Sequence, residues 1–175
     1  MADDDKMTGP TVWTVPEGDD RQRLTCLDCG FIHYDNPKVI AGLVATWEDR
    51  YLICRRAIPP REGFWTVPAG FLELNETTEE GACREAWEEA CVRAEVTGLI
   101  GLYEIPRISQ LYVIHAGRLT APDHAPGPES LDTRLVTWDE IPWDELAFPS
   151  VRWALERHRA GLPPGVTRAP DKPPA

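Results

Sequence analysis

The chain is poor in positive charge. Its 175 residues carry 18 Lys and Arg against 29 Asp and Glu, a formal net charge of −11. A field of that sign repels polyanions and argues against nonspecific binding of DNA or RNA. A small anion can still bind where local Arg, Lys or a metal offsets the field. No apolar run approaches the ~18 residues that a membrane span needs, and no apolar core follows the N-terminus as it does in a secretory signal. Neither nucleic acid nor membrane is therefore an expected partner. Cysteine is scarce and odd in number, five scattered residues, which argues against a disulfide framework and for a reducing, cytoplasmic setting. An organelle whose import peptide has been removed is the second choice. No internal repeat is visible. What the chain does have is 42% hydrophobic residues and seven Trp, enough for the core of one globular domain at this length.

Residues 1–6 read as an expression leader of the enterokinase-site kind, with Met7 the natural start. Residues 7–37 read as an N-terminal arm, irregular as far as position 23, with a tight Cys26-Leu27-Asp28-Cys29-Gly30 turn. Val39 to Trp47 and Tyr51 to Cys54 form a predicted hairpin turning at Glu48–Arg50, followed by a basic, Pro-containing loop and a short strand at Trp65–Val67. Thr77 to Ala90 is the strongest predicted helix. Thr77 and Glu80 have capping-box spacing, in which each side chain satisfies an exposed backbone N–H of the first turn. Strands are predicted at Val92–Tyr103, Ser109–Leu119 and Leu135–Trp138, a loop at Ala121–Gly127, and a C-terminal helix at Pro149–Ala160. The main domain is set at 38–161, and the Pro-rich tail 162–175 reads as disordered. This order predicts an α/β fold with a mixed β-sheet between helices.

On the helix, Glu85, Glu88 and Glu89 are spaced i, i+3 and i+4, so three carboxylates share one face. Like charges there repel and weaken the helix. Taken alone, such a run is usually a solvated acidic face. The flanking residues reverse that reading. Gly70 permits a tight turn with a carbonyl free to approach a cation, Glu76 stands just before the N-cap, and Arg84 is placed to orient a carboxylate. A hard divalent cation, Mg²⁺ or Mn²⁺, is the natural compensator. It can clamp a pyrophosphate, neutralise developing charge and activate a water.

Gly70, Glu76, Arg84, Glu85, Ala86, Glu88, Glu89, Cys91 and Val92 stand in the register G-x5-E-x7-R-E-U-x-E-E-x-G-U, where U is bulky and apolar. Residues 70–92 thus resemble the Nudix box. Two positions depart: Ala86 is small for U, and Cys91 replaces the Gly that ends the helix, where a non-Gly residue at positive φ costs roughly 1 kcal/mol. The resemblance implies the Nudix fold, α/β/α with a short ribbon-like arm, and a metal-dependent pyrophosphohydrolase. It implies metal ligands at Glu85, Glu88, Glu89 and the Gly70 carbonyl, supported by Glu76 and Arg84. A further Glu from a later loop is expected at Glu129, following a loop that could close over the site, with Glu104 the other candidate. Glu85 is the first choice of base.

Cys26 to Lys38, Cys54 to Gly70, Ile105 to Tyr112 and Trp138 to Trp143 extend the resemblance to Nudix pyrophosphatases with an N-terminal zinc ribbon that act on ADP-ribose, FAD or related dinucleotides. The chain lacks the S-Q-P-W-P-F-P-x-S run of NADH pyrophosphatases. Its ribbon is incomplete: Cys26 and Cys29 are present, Val12-Trp13-Thr14 stands where the family has its first Cys pair, and His33 is at most a third ligand. A structural zinc wants four, so zinc is doubtful. Arg55, Arg56 and Arg61 are candidates to grip phosphates, and Trp65, Tyr112 and Phe148 to stack on a ring, although such aromatics are more often core. A small nucleotide substrate and a homodimer are expected. Two other readings remain, a catalytically weak Nudix domain that senses a nucleotide and a zinc-ribbon nucleic-acid adaptor. The charge and the missing Cys pair weigh against the second.

Overall fold

The computed structural model describes residues 9–170; the leader at residues 1–6 lies outside them. The chain divides into two compact units, Met1–Asn36 and Pro37–Ala175.

The first unit is more regular than its sequence suggests. Strands β1 (Val12–Thr14), β2 (Arg23–Thr25) and β3 (Ile32–His33) form an antiparallel three-stranded sheet. The expectation of an irregular segment as far as residue 23 is corrected by β1 and the start of β2. Each strand is only two or three residues long, too short for a period-2 pattern to show. Pairing is fixed by side chains such as the Thr14 and Thr25 hydroxyls, 2.8 Å apart across β1 and β2.

The second unit is built on a mixed sheet. Its strands are β4 (Lys38–Trp47), β5 (Arg50–Arg56), β6 (Trp65–Thr66), β7 (Ala69–Phe71), β8 (Ala94–Ile105), β9 (Gln110–Leu119), β10 (Ser130–Val136) and β11 (Gly165–Arg168). The path is β10-β5-β4-β9-β8-β11, with β6 on β5 and β7 on β4. β4 runs parallel to β9 and β11 parallel to β8; the other pairs are antiparallel. The hairpin turns as predicted, with Trp47 opposite Arg50 and Glu48 at φ 54°. β4 is central and covered on both faces, which is why its sequence is a continuous run of Val, Ile, Leu and Ala.

One helix covers each face, giving the expected α/β/α sandwich. Helix α1 (Thr78–Ala90) lays Ala82, Ala86 and Ala90 against Ala41, Leu43, Ala45, Leu52 and Cys54. The small side chains let the helix sit close to the sheet, and Ala86 is fully buried there, so a bulkier residue would cost about 1–3 kcal/mol in overpacking. Helix α2 (Pro149–Arg159) packs Val151, Ala154 and Leu155 on the other face, with Tyr51, Ile53, Trp65, Val67 and Tyr103. The expectation of disorder at 162–175 is corrected for residues 162–170, while 171–175 lie outside the described residues. Gly165–Arg168 adds β11 to the edge of β8, Arg157 Nη1 donates to the Pro163 carbonyl (2.7 Å), and Ala169 N–H donates to Glu104 O (2.8 Å). The Pro-rich composition hid a strand whose partner lies some sixty positions away in the chain.

Candidate active site

Helix α1 starts as its sequence dictates. Thr77 accepts from Glu80 N–H (3.2 Å), and Glu80 accepts from Thr77 N–H (2.7 Å). The helix ends at Cys91 in the left-handed region (φ 55°, ψ 29°), where the Cys91 N–H bonds Trp87 O at 2.8 Å. The backbone shape that Gly would supply is therefore present without Gly, and the departure leaves the carboxylates on the helix undisturbed.

Arg84 organises the cluster. Its Nε and Nη2 donate to the two oxygens of Glu76 (3.1 and 2.7 Å), Nη1 donates to Glu85 (2.7 Å) and Glu88 (3.0 Å), and Nη2 also reaches the Phe71 carbonyl (3.0 Å). These bonds hold the Glu76 carboxyl below the usual carboxylate range, helped by the Glu73 N–H, and raise the guanidinium further above its own. Gly70 lies against Glu85, since a Cβ there would collide with the Glu85 carboxylate. The Gly is thus required by close approach.

Glu85 and Glu89 are buried at 8% and 6% exposure, while Glu88 is exposed. Burial raises the Glu85 carboxyl against the opposing pull of Arg84. It pushes Glu89 up to about 8, with the charges of Glu85 and Glu129 adding and Arg56 opposing. Glu89 Oε2 is buried with no hydrogen-bond partner. Such an oxygen beside a second buried carboxylate is what a cation would satisfy. Hard carboxylate and carbonyl oxygens suit Mg²⁺ or Mn²⁺. As they stand, no three ligating side chains among the described residues converge on one point, and Arg84 is the group that holds Glu85 and Glu88 together. The donors a cation needs are nonetheless all on one helix face and its facing turn.

Glu129 is brought to this region by the loop that precedes it. Ala125 N–H bonds Ala90 O and Gly127 N–H bonds Glu89 O, both at 3.0 Å, so the loop caps the C-terminal carbonyls of α1. A Cβ on Gly127 would collide with the Glu88 carbonyl. The Glu129 carbonyl accepts from Ala57 N–H at 2.8 Å, and its charge acts on both Glu85 and Glu89. Glu104 lies exposed on β8 between β9 and β11.

The predicted arginine cluster divides. Arg56 lies near the carboxylates, since its charge is felt at Glu89 and at Tyr112. Its Nε and Nη2 are held by the Pro60 and Ile58 carbonyls (2.9 and 3.4 Å), and its guanidinium lies 5.3 Å from the Phe148 ring centre. Arg55 is its neighbour on β5 and so projects to the opposite face, donating to Gly63 O at 2.8 Å. Arg61 ties the loop to Ala147 O (3.1 Å) and lies over Phe64. All three arginines bond loop carbonyls, and of the three only Arg56 is felt at the carboxylates, through Glu89. The expectation for Trp65 is corrected: at 3% exposure it is core, packed beneath Arg134. Tyr112 and Phe148 are half-buried at the rim of that core. Sequence reading missed Gly127, for which a Gly two residues before Glu129 was the available signal.

Comparison with known proteins agrees with this fold. The family model for the NUDIX domain matches residues 36–155, and one described as Nudix N-terminal, a zinc ribbon, matches residues 8–35. An ADP-ribose pyrophosphatase of Methanocaldococcus jannaschii is 31% identical over 69% of this chain and 76% of its own length. An NAD-capped RNA hydrolase, NudC, of Vibrio vulnificus is 30% identical over 68% of this chain. The chain spans less than half the length of that protein and of several other curated relatives. A crystal structure of a NUDIX hydrolase from Nitrosomonas europaea superposes with a TM-score of 0.85 at 42% identity, covering 94% of this chain and 98% of that one.

Proposed function

Because the chain belongs to the Nudix hydrolases, a family of pyrophosphatases that generally use divalent metals, we propose that it hydrolyses the pyrophosphate of a dinucleotide-like nucleoside diphosphate derivative, ADP-ribose or FAD, with Mg²⁺ or Mn²⁺. The observation that carries this reading is the buried, unpartnered Glu89 oxygen beside Glu85 and the close-packed Gly70. A cation held by Glu85, Glu88, Glu89, the Gly70 carbonyl and Glu129 would neutralise charge on the pyrophosphate and activate a water. Arg84 fixes the rotamer of Glu85 and Glu88 and is itself fixed by Glu76. Glu85 is the proposed acceptor of the attacking water's proton, buried beside Glu89 and held in place by Arg84. Arg56 grips a phosphate beyond the carboxylates, and Phe148 and Tyr112 offer ring faces beside it. The relative named as an ADP-ribose pyrophosphatase supports that substrate first.

The test is release of monophosphate from ADP-ribose, FAD, NADH, CoA and nucleoside triphosphates with Mg²⁺. ADP-ribose or FAD should turn over fastest. Glu89→Gln should lower kcat roughly a hundredfold or more, the loss of a few kcal/mol of transition-state stabilisation. Absence of turnover for every compound, with the variant indistinguishable from the parent, sinks the proposal. A homodimer and a cytoplasmic site of action belong to the same proposal. Sedimentation tests the first and fractionation of the source cells the second. No helix among the described residues is long and apolar enough to cross a membrane.

A further inference from the structure

The first unit matches a zinc-ribbon family that its side chains do not fit. A structural zinc closes on four ligands. The knuckle itself is well formed: Cys26 N–H donates to Phe31 O at 2.8 Å, Gly30 N–H donates to Cys26 O at 2.9 Å, and Gly30 takes φ 73°. It brings two sulfurs together and nothing else. Among the described residues no group of three Cys, His, Asp or Glu stands where it could hold a metal, and Val12, Trp13 and Thr14 are committed to β1. Unlike the carboxylate helix, where the donors are present and only gathered by Arg84, the knuckle is short of donors, so a change of rotamer cannot complete it.

A turn that aims two thiols at one missing metal also aims them at each other. Cys26 and Cys29 are the first and fourth residues of the turn, a spacing that keeps their Cα atoms within about 7 Å, the range a disulfide spans. The Gly30 N–H to Cys26 O and Cys26 N–H to Phe31 O bonds close the chain around this pair. Both cysteines are free thiols, Cys26 buried at 1% exposure and Cys29 exposed.

We propose that Cys26 and Cys29 are a reversible thiol-modification site, closed to an intramolecular disulfide by a low-mass disulfide such as oxidised glutathione. The exposed Cys29 thiolate attacks that disulfide, forms a mixed disulfide and expels one thiol. The Cys26 thiolate then attacks the Cys29 sulfur and expels the second. Both protein thiols lose their protons, and the pair of electrons they give up reduces the small disulfide to two thiols. The same exchange runs backwards when small thiols are in excess, which makes the bond a switchable mark and not a structural staple.

The experiment uses the full chain, purified without chelator, equilibrated in glutathione buffers of rising oxidation, alkylated and digested with trypsin. The peptide Leu24–Lys38 holds both cysteines. It should lose its alkylation sites and become lighter by two hydrogens as the buffer oxidises, and regain them on reduction. In Cys26→Ser, Cys29 should stop at the glutathione adduct; in Cys29→Ser, Cys26 should stay alkylatable. Cys91, exposed on the other unit, reports the background of mixed disulfides. Stoichiometric zinc that is lost in Cys26→Ser would overturn the proposal. So would two alkylatable thiols throughout the series, or a disulfide joining separate chains.

Discussion

Cys91 sits at φ 55°, a conformation in which its Cβ crowds the following carbonyl. Cys91→Gly should therefore raise stability by about 1 kcal/mol, read as a rise of a few degrees in Tm, and leave kcat alone, since the helix already ends correctly. Glu89 carries a different kind of strain. Its carboxyl is raised from the usual 4.5 to about 8 by burial, so the folded chain favours the protonated form. In the metal-free protein that contribution is whole below pH 4.5 and is lost as the pH climbs towards 8. At pH 7 the loss is about 3 kcal/mol. Glu89→Gln should then melt like the parent at pH 4 and well above it at pH 8, and added Mg²⁺ should raise the Tm of the parent more than that of the variant. Equal melting at both pH values would show that Glu89 is not held in a desolvated site. These residues were legible in the sequence because their roles are local: the Thr77–Glu80 cap, the Arg84–Glu85–Glu88–Glu89 face and the Cys91 helix end all lie within one helix. Trp65 and Arg55 were not legible in this way. Strand alternation says that Arg55 and Arg56 point apart, but only the packing of α1 says which of them meets the carboxylates.

The loop before β10 and the strand β11 are elements whose purpose depends on distant partners. The sequence shows the loop as Pro and Gly, yet Ala125 and Gly127 donate to the last carbonyls of α1 and so fix Glu129 near the carboxylates. Gly127→Ala puts a methyl group against the Glu88 carbonyl. It should lower kcat by roughly tenfold or more through displacement of that loop, a shift that catalytic geometry does not tolerate, while far-UV circular dichroism stays native. β11 closes an edge. Removing residues 163–175 takes away the parallel ladder on β8, the Arg157–Pro163 bond and the buried Ala169. Each net hydrogen bond is worth about 0.5–1.5 kcal/mol, so the truncated chain should melt several degrees lower. Its bared β8 edge should raise the tendency to aggregate. An unchanged Tm would mean that β11 is only loosely attached.

At the scale of the whole molecule the sequence reported the net charge and the two covered sheet faces, but not the strand order, because the β4–β9 and β8–β11 pairings join segments far apart in the chain. The charge has a kinetic consequence. A chain at −11 opposes the approach of an anionic dinucleotide, whereas Arg56 attracts it only at close range. At ~0.01 M salt the Debye length is about 30 Å, so the repulsion of the whole surface is felt; at ~0.15 M it is about 8 Å, and only charges near the cleft remain in play. The value of kcat/KM for ADP-ribose should accordingly rise, by roughly twofold to fivefold, between those salt concentrations at saturating Mg²⁺, with kcat unchanged. A fall over the same range would mean that the local field of Arg56 and the bound cation outweighs the rest of the surface. In that case neutralising exposed acids such as Glu62 and Glu73, which lie on loops flanking β6 and β7, would leave kcat/KM where it was, whereas under the present reading it should climb.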